Sequence, residues 1–462
     1  MAWVTGSPSA LTALAATAAT AATAQPSAGC ASVTSCYTPQ QIQVAYGIRP
    51  LLDRGIDGRG ETVVLPEQGE QEAVPPSVTD IRQDLAGFDR RFRLPAPRLT
   101  VTTTLARGAS RWLALQEETL DVEMVHAVAP AAAIRVILLP LSAMNSAPGL
   151  TAALTDAVRL GTSLGAVISL SMGVGEHCFS AAEVARMHAA LQQAGRHHVT
   201  VVAASGDTGA VGGACPAPFA VPGAVPVVEP LLPAADPLVL AVGGTSLSAS
   251  HRTGAYIGET AWSQPPQNVD DDTLASGGGF SRVFARPSYQ GGVPGIGTAR
   301  AVPDVAADAS AATGLALVSA DGPGSYAVSG SSGTSAAAPL WAGLVAEADQ
   351  LAGYDLGFVN PALYGIAGGP DYHLAFHDVT RGNSTVIVAP DRFPGYRAGP
   401  GWDPVTGWGS PDAELLIPLL ARYPDYCSGP ATWARPPWLV CDNGERATHP
   451  GSNPHSAQGP LA

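Results

Sequence analysis

Lysine is absent from this 462-residue chain, so all 24 of its strongly basic groups are arginines, and against 38 acidic residues they leave a net charge of −14. That balance removes nucleic acid from the partners such a surface would attract. An arginine-only acidic surface suits exposure to low pH, and a GC-rich genome replacing Lys with Arg accounts for it at least as well. Charge of either sign is scarce: 13% of residues are charged while 46% are hydrophobic, which is enough to fill a large core and excludes disorder throughout. No run of about twenty strongly apolar residues occurs, so a membrane span is not indicated. No CxxC or Cys/His ligand set occurs among the six cysteines, which disfavours zinc. They fall as Cys30 and Cys36, Cys178 and Cys215, and Cys427 and Cys441. Pairing in sequence order is the simplest arrangement, the connectivity stays open, and disulfides favour an oxidising compartment. The opening Ala/Thr-rich residues lack the basic start of a secretory signal. Secretion to the extracellular space is therefore an expectation drawn from the cysteines.

Residues 1–36 read as a low-complexity leader or residual pro-segment, since small side chains cannot fill a core. Strand-like runs follow at Thr62–Leu65, Ala133–Leu139, Ala166–Leu170, Thr200–Ala204 and Leu238–Val242. They alternate with helix-like stretches at Glu117–Ala129, Ala181–Ala194, Ser335–Leu351 and Glu414–Ala421. That alternation predicts an α/β fold, a mainly parallel sheet flanked by helices, in one large domain over 37–424. A Pro-rich tail, 425–462, carries Trp433, Trp438 and a local disulfide between Cys427 and Cys441. Packing is the safer reading for Trp112, Trp433 and Trp438.

Ser329–Leu340 reads S-G-S-S-G-T-S-A-A-A-P-L, a Gly-rich turn entering an apolar helix with Ser335 at its mouth. A serine there gains backbone N–H groups that can bind an oxyanion, and Pro339 is expected in the first helical turn. For such a short motif a Ser cap on a buried Ala-rich helix is the ordinary alternative. Glu117 and Asp121 are four apart, on one helical face, where close like charges raise the pKa of one and favour a shared proton. A solvated acidic face is the alternative, but Leu120, Met124 and the Val/Ala positions leave little room for it. His126 lies in apolar M-V-H-A-V and is expected to pack rather than act as a base. The apolar strand Val201–Ala204 runs into Ser205–Gly206–Asp207, placing Asp207 beyond a strand's carboxyl end, where sites gather in open α/β sheets.

Together with G-E-T-A-W at 258–262, S-G-G-G-F-S-R-V-F-A-R-P-S-Y at 276–289, V-P-D-V-A-A-D at 302–308 and N-P-A-L-Y at 360–364, these motifs resemble the sedolisin family of serine-carboxyl peptidases, and within it the kumamolisin-like branch. The resemblance covers nearly all of 37–424. It implies a subtilisin-like fold and a secreted, monomeric, acid-active endopeptidase acting on polypeptide substrates. A tripeptidyl exopeptidase and a non-catalytic peptide-binding relative are the alternatives. It implies Ser335 as nucleophile, Glu117 as general base, Asp121 positioning Glu117, protonated Asp207 as oxyanion stabiliser and Glu67 extending the network. It further implies one calcium ion held by Asp378, Val379, Gly399, Gly401 and Asp403. The glycine segment Ser276, Gly277, Gly278 and Gly279 is itself expected to bind an extended substrate by strand pairing. Met172 stands where the branch has tryptophan, so the pH optimum is open. The family's long pro-region is expected to be separate or missing here, because only about 36 residues precede the body.

Overall fold

The computed structural model describes residues 36–69, 81–103, 116–140, 146–212, 215, 227–264, 273–322, 325–388 and 391–423. Cys30, Cys427, Cys441, Trp112, Trp433, Trp438, residues 1–35 and the 425–462 tail lie outside the described residues.

Eight strands form the central sheet: β1 (Thr62–Gly69), β2 (Arg98–Thr103), β3 (Ala133–Pro140), β4 (Ala166–Leu170), β5 (Thr200–Ala204), β6 (Leu240–Ala249), β7 (Tyr256–Ala261) and β8 (Val305–Asp308). Their order is β7-β6-β5-β4-β1-β3-β2, with β8 also beside β6. Every pair is parallel except β6–β7. β4 (AVISL) and β5 (TVVAA) are buried at every position, as expected of parallel strands covered on both faces.

The covering helices are α1 (Ile81–Phe92), α2 (Gln116–Val128), α3 (Ala147–Leu164), α4 (Ala181–Arg196) and α5 (Thr334–Ala352). Strand side chains alternate between two cores: Val63 and Leu65 join α1, α2 and α5, whereas Val64 joins α3 and α4. Local chemistry sets the helix ends. Ser146 caps α3 ahead of Pro148, Gly165 ends it in the left-handed region, and Ser180 and Glu183 close a capping box on α4. A Cβ on Gly343 would lie 2.8 Å from Val128 Cγ1, so its absence lets α2 press against α5. That contact sets the approach of the two helices that carry Glu117, Asp121 and Ser335.

Pro339 corrects an expectation, for it lies inside α5, past the first turn. Its missing N–H is the one that would have bonded Ser335 O, four residues back. The freed carbonyl takes a hydrogen bond from Ser171 Oγ at 3.3 Å instead.

Candidate active site

Ser335 sits in the first turn of α5 behind Gly333, whose φ is +86°. A Cβ there would meet Asp207 Oδ2 at 2.6 Å, so only glycine fits. Thr334 ties the helix of Ser335 to the loop after β5: its N and Oγ each donate to Asp207 Oδ1 at 2.8 Å, and Gly206 N donates to Thr334 Oγ at 3.1 Å. Burial raises the Asp207 pKa and the two Thr334 bonds lower it, with burial the larger effect. Because Oδ1 already accepts two hydrogen bonds, a proton on Asp207 belongs on Oδ2.

Glu67 lies in β1, toward its carboxyl end, and Glu117 and Asp121 lie one turn apart in α2. Glu67 and Asp121 are fully buried and hydrogen-bond each other, while Glu117, partly accessible, reaches the Ser335 side chain. Ser171 Oγ lies near both Asp121 and Ser335 O, and its one proton cannot serve both. With the carboxyls ionised and the Ser171 proton given to Ser335 O, Glu67 Oε1, Glu117 Oε1 and both Asp121 oxygens have no donor. Shared protons satisfy them. All three pKa values are raised, first by burial. For Glu67 and Glu117 the Asp121 charge adds to the shift, whereas for Asp121 the hydrogen bonds from Glu67 and Ser171 oppose it. Such a set can hold and exchange protons beside a serine hydroxyl.

His126 is fully buried on the same helix, with Nε2 3.0 Å from Pro95 O and 3.1 Å from Asp89 Oδ1. It is a packed side chain tied to α1 and the segment just after it, and it takes no part in the constellation. Met172 is buried beside β4.

The expected strand pairing along Ser276–Gly279 is taken up inside the fold. Gly277 N donates to Gly206 O at 2.6 Å, Gly278 N to Gly209 O at 3.2 Å, and Ser205 Oγ to Gly277 O at 2.7 Å. Gly279 pairs with Val302. All four residues are buried, and a Cβ on Gly277 or Gly278 would meet backbone oxygens at 2.4 and 2.2 Å. Their N–H groups and small size brace the Asp207 loop, so they are not a free edge for a substrate strand.

Sequence reasoning missed Thr334 and Ser171. Both had a visible signal, since each hydroxyl adjoins a motif already singled out, but hydroxyl donors carry no spacing rule.

At the other candidate site, Gly401 N donates to both Asp378 oxygens at 3.1 Å, and Gly399 N donates to Asp403 Oδ2 at 3.1 Å. Asp403 also accepts from Val405 N, Thr406 N and Thr406 Oγ, yet burial pushes its pKa up to about 6. Among the described residues no arginine or histidine pairs with either carboxylate. Two carboxylates drawn onto a glycine turn without a cation form an oxygen-rich donor set that fits a hard divalent ion. Cys178 and Cys215 form a disulfide.

Residues 110–357 match the model of the subtilase family, peptidase S8. The chain is 35% identical over 403 residues to kumamolisin of Bacillus sp. (strain MN-32), covering 84% of this chain and 64% of that one. It is 34% identical over 276 residues to tripeptidyl-peptidase 1 of Bos taurus, covering 55% and 43%. It thus spans less than two thirds of the length of these relatives. A solved structure of Pseudomonas sedolisin, a serine-carboxyl proteinase complexed with two molecules of pseudo-iodotyrostatin, superposes with a TM-score of 0.68 at 26% identity, covering 83% of this chain and 97% of that one. The chain belongs to the subtilase family, and within it to the sedolisin peptidases, with their subtilisin-like α/β fold.

Proposed function

We propose that this chain is an acid-active serine-carboxyl endopeptidase that cleaves polypeptides through an acyl-enzyme on Ser335. The observation that carries the reading is the pairing of a serine hydroxyl with a buried carboxyl set lacking donors on one side and a carboxyl with one free oxygen on the other. Ser335 Oγ attacks the scissile carbonyl carbon while its proton passes to Glu117, which Asp121 holds in place. Glu67 shares the proton load behind Asp121. The carbonyl oxygen, becoming negative, accepts a hydrogen bond from Asp207 Oδ2–H. Glu117 then returns the proton to the leaving amine, and water repeats the sequence to release the acyl group.

The acid requirement follows from the signs. Asp207 must be protonated to donate, and its raised pKa extends that form upward in pH. Above that range the ionised carboxylate repels the developing oxyanion; once every member of the carboxyl set, whose own pKa values burial raises, holds a proton, Ser335 loses its base. A bell-shaped profile results. Cleavage of a mixed peptide library across pH tests activity and profile together. Internal cuts support the endopeptidase reading, and serial release of tripeptides from the amino end replaces it with the exopeptidase alternative.

One calcium ion would be held by the Asp378 and Asp403 carboxylates with the Val379, Gly399 and Gly401 carbonyls. It would neutralise the two carboxylates and fix the glycine turn. Thermal denaturation with and without a chelator tests this: a calcium-dependent melting temperature that disappears in Asp403→Ala supports the site, and an unchanged wild-type melt removes it. Secretion is part of the same reading, supported by the Cys178–Cys215 bridge. No helix among the described residues is long and apolar enough to cross a membrane.

A further inference from the structure

The Cys178–Cys215 bridge does not stand alone. His177 Nε2 lies 3.1 Å from Cys215 Sγ and 4.0 Å from Cys178 Sγ. Its Nδ1 is in close contact with Glu229 Oε1, which also accepts from His177 N at 2.9 Å. The Glu229 side chain is 1% exposed, and its other oxygen lies 3.4 Å from the Arg282 guanidinium. Glu176, the remaining charged group here, is occupied by Ser281 Oγ and Arg282 N. The pair is built into the backbone. A Cβ on Gly175 would lie 2.8 Å from Glu229 Oε1 and 3.1 Å from His177 Nδ1, and one on Gly212 would lie 2.9 Å from Glu229 Oε1. Two glycines on different strands leave the space that this carboxylate and imidazole fill.

A buried carboxylate holding Nδ1–H leaves Nε2 turned to one sulfur of a disulfide, the geometry that stabilises a departing thiolate. We propose that Cys178–Cys215 is an exchange-active disulfide that reacts with low-molecular-weight thiols, with Cys215 as the leaving sulfur assisted by the His177–Glu229 pair. A thiolate RS⁻ attacks Cys178 Sγ and forms the Cys178–SR bond. The Cys178–Cys215 bond breaks, its electron pair goes to Cys215 Sγ, and protonated His177 gives up its Nε2 proton to that sulfur. The products are a Cys178 mixed disulfide and a Cys215 thiol. A second equivalent of thiol, attacking the mixed disulfide, releases RSSR and leaves two protein thiols. The bridge joins the segment after β4 to the segment after Asp207, so its opening would loosen the loop that carries Asp207.

Exposure alone predicts the opposite outcome, since Cys215 is exposed and Cys178 is only partly so, and an incoming thiolate meets Cys215 first. The test uses the full-length protein and reduced glutathione. Samples are quenched with acid, free thiols are capped, and peptide mapping by mass spectrometry separates this bridge from the other cysteines. Glutathione on Cys178 with the cap on Cys215 is the expected product. Glutathione on Cys215, or an even split, overturns the proposal, and this is read on the unmodified protein. His177→Gln, compared with wild type at each pH so that glutathione's own ionisation cancels, should slow exchange roughly tenfold near pH 6 and erase the bias. An unchanged rate and bias in a variant that melts like wild type overturns the role of His177.

Discussion

Two buried acidic groups in this molecule have opposite surroundings. Asp304 receives both guanidinium nitrogens of Arg300 at 2.6 Å, together with Ala241 N, Tyr364 Oη and Asn360 Nδ2. Asp121, equally buried, faces Glu67, Glu117 and one serine hydroxyl, and its oxygens lack a donor unless protons are shared. A burial cost met by a cation and three further donors gives a fixed brace between β6, the segment before β8 and the helix Asn360–Ala367. A burial cost met by one serine hydroxyl and otherwise by titratable protons gives a group whose state changes with pH. Number and kind of donors, rather than depth, separates scaffold from chemistry.

The largest expected effect lies on the chemical side. Ser335→Ala should lower turnover by roughly a millionfold with the melting temperature unchanged, because only the Oγ is removed. Turnover within tenfold of wild type would mean that Ser335 is a helix cap. Asp207→Ala should cost roughly a hundred- to a thousandfold at the acid optimum, the scale of one oxyanion donor. Asp207→Asn sharpens the point: an amide donates at every pH, so the variant should be slower overall yet retain proportionally more activity toward neutrality. A wild-type-shaped profile in Asp207→Asn would mean that Asp207 is not the group whose protonation limits the alkaline side. On the scaffold side, Arg300→Met leaves Asp304 buried without its cation and should destabilise the fold by about 3–5 kcal/mol near neutral pH, and by less where the orphaned carboxyl takes up a proton, read by urea denaturation.

The same contrast explains what was legible in the sequence. Runs such as AVISL and TVVAA specify buried parallel strands through apolarity alone, and β4 and β5 begin and end where that pattern does. The Glu117/Asp121 spacing and the Gly-Asp after β5 likewise name their own geometry. Three features were not legible. β7 (YIGETA) exposes Ile257 and Thr260 and pairs antiparallel, so it lacks the apolar run that marked β1, β3, β4, β5 and β6. Pro339 was expected in the first turn because proline is tolerated there, whereas the structure uses its missing N–H to free Ser335 O for Ser171. Gly277 and Gly278 were expected to pair with substrate because a glycine run reads as an open edge. Only the packing reveals that Gly206 O and Gly209 O already occupy their N–H groups.

The smallest expected effect is the most diagnostic, because its sign reverses between the two regions. Glu67 is buried beside Asp121, Glu118 and Glu117, and burial with those charges raises its pKa well above 4.5. A group whose pKa is raised by folding contributes stability that is fully present below its unfolded value and is lost as pH rises through the folded one. Wild type should therefore lose stability from Glu67 as pH climbs above about 4.5. Glu67→Gln removes the ionisation and gives Asp121 an amide donor. It should match wild type near pH 4 and be the more stable protein near pH 7, while turnover falls by less than in Asp207→Ala because the side chain stands behind Asp121. Melting temperatures of the two proteins across that pH range decide it. A Glu67→Gln protein destabilised as much at pH 7 as at pH 4 would place Glu67 with Asp304, as a structural carboxylate held by donors, and would remove it from the proton-sharing set.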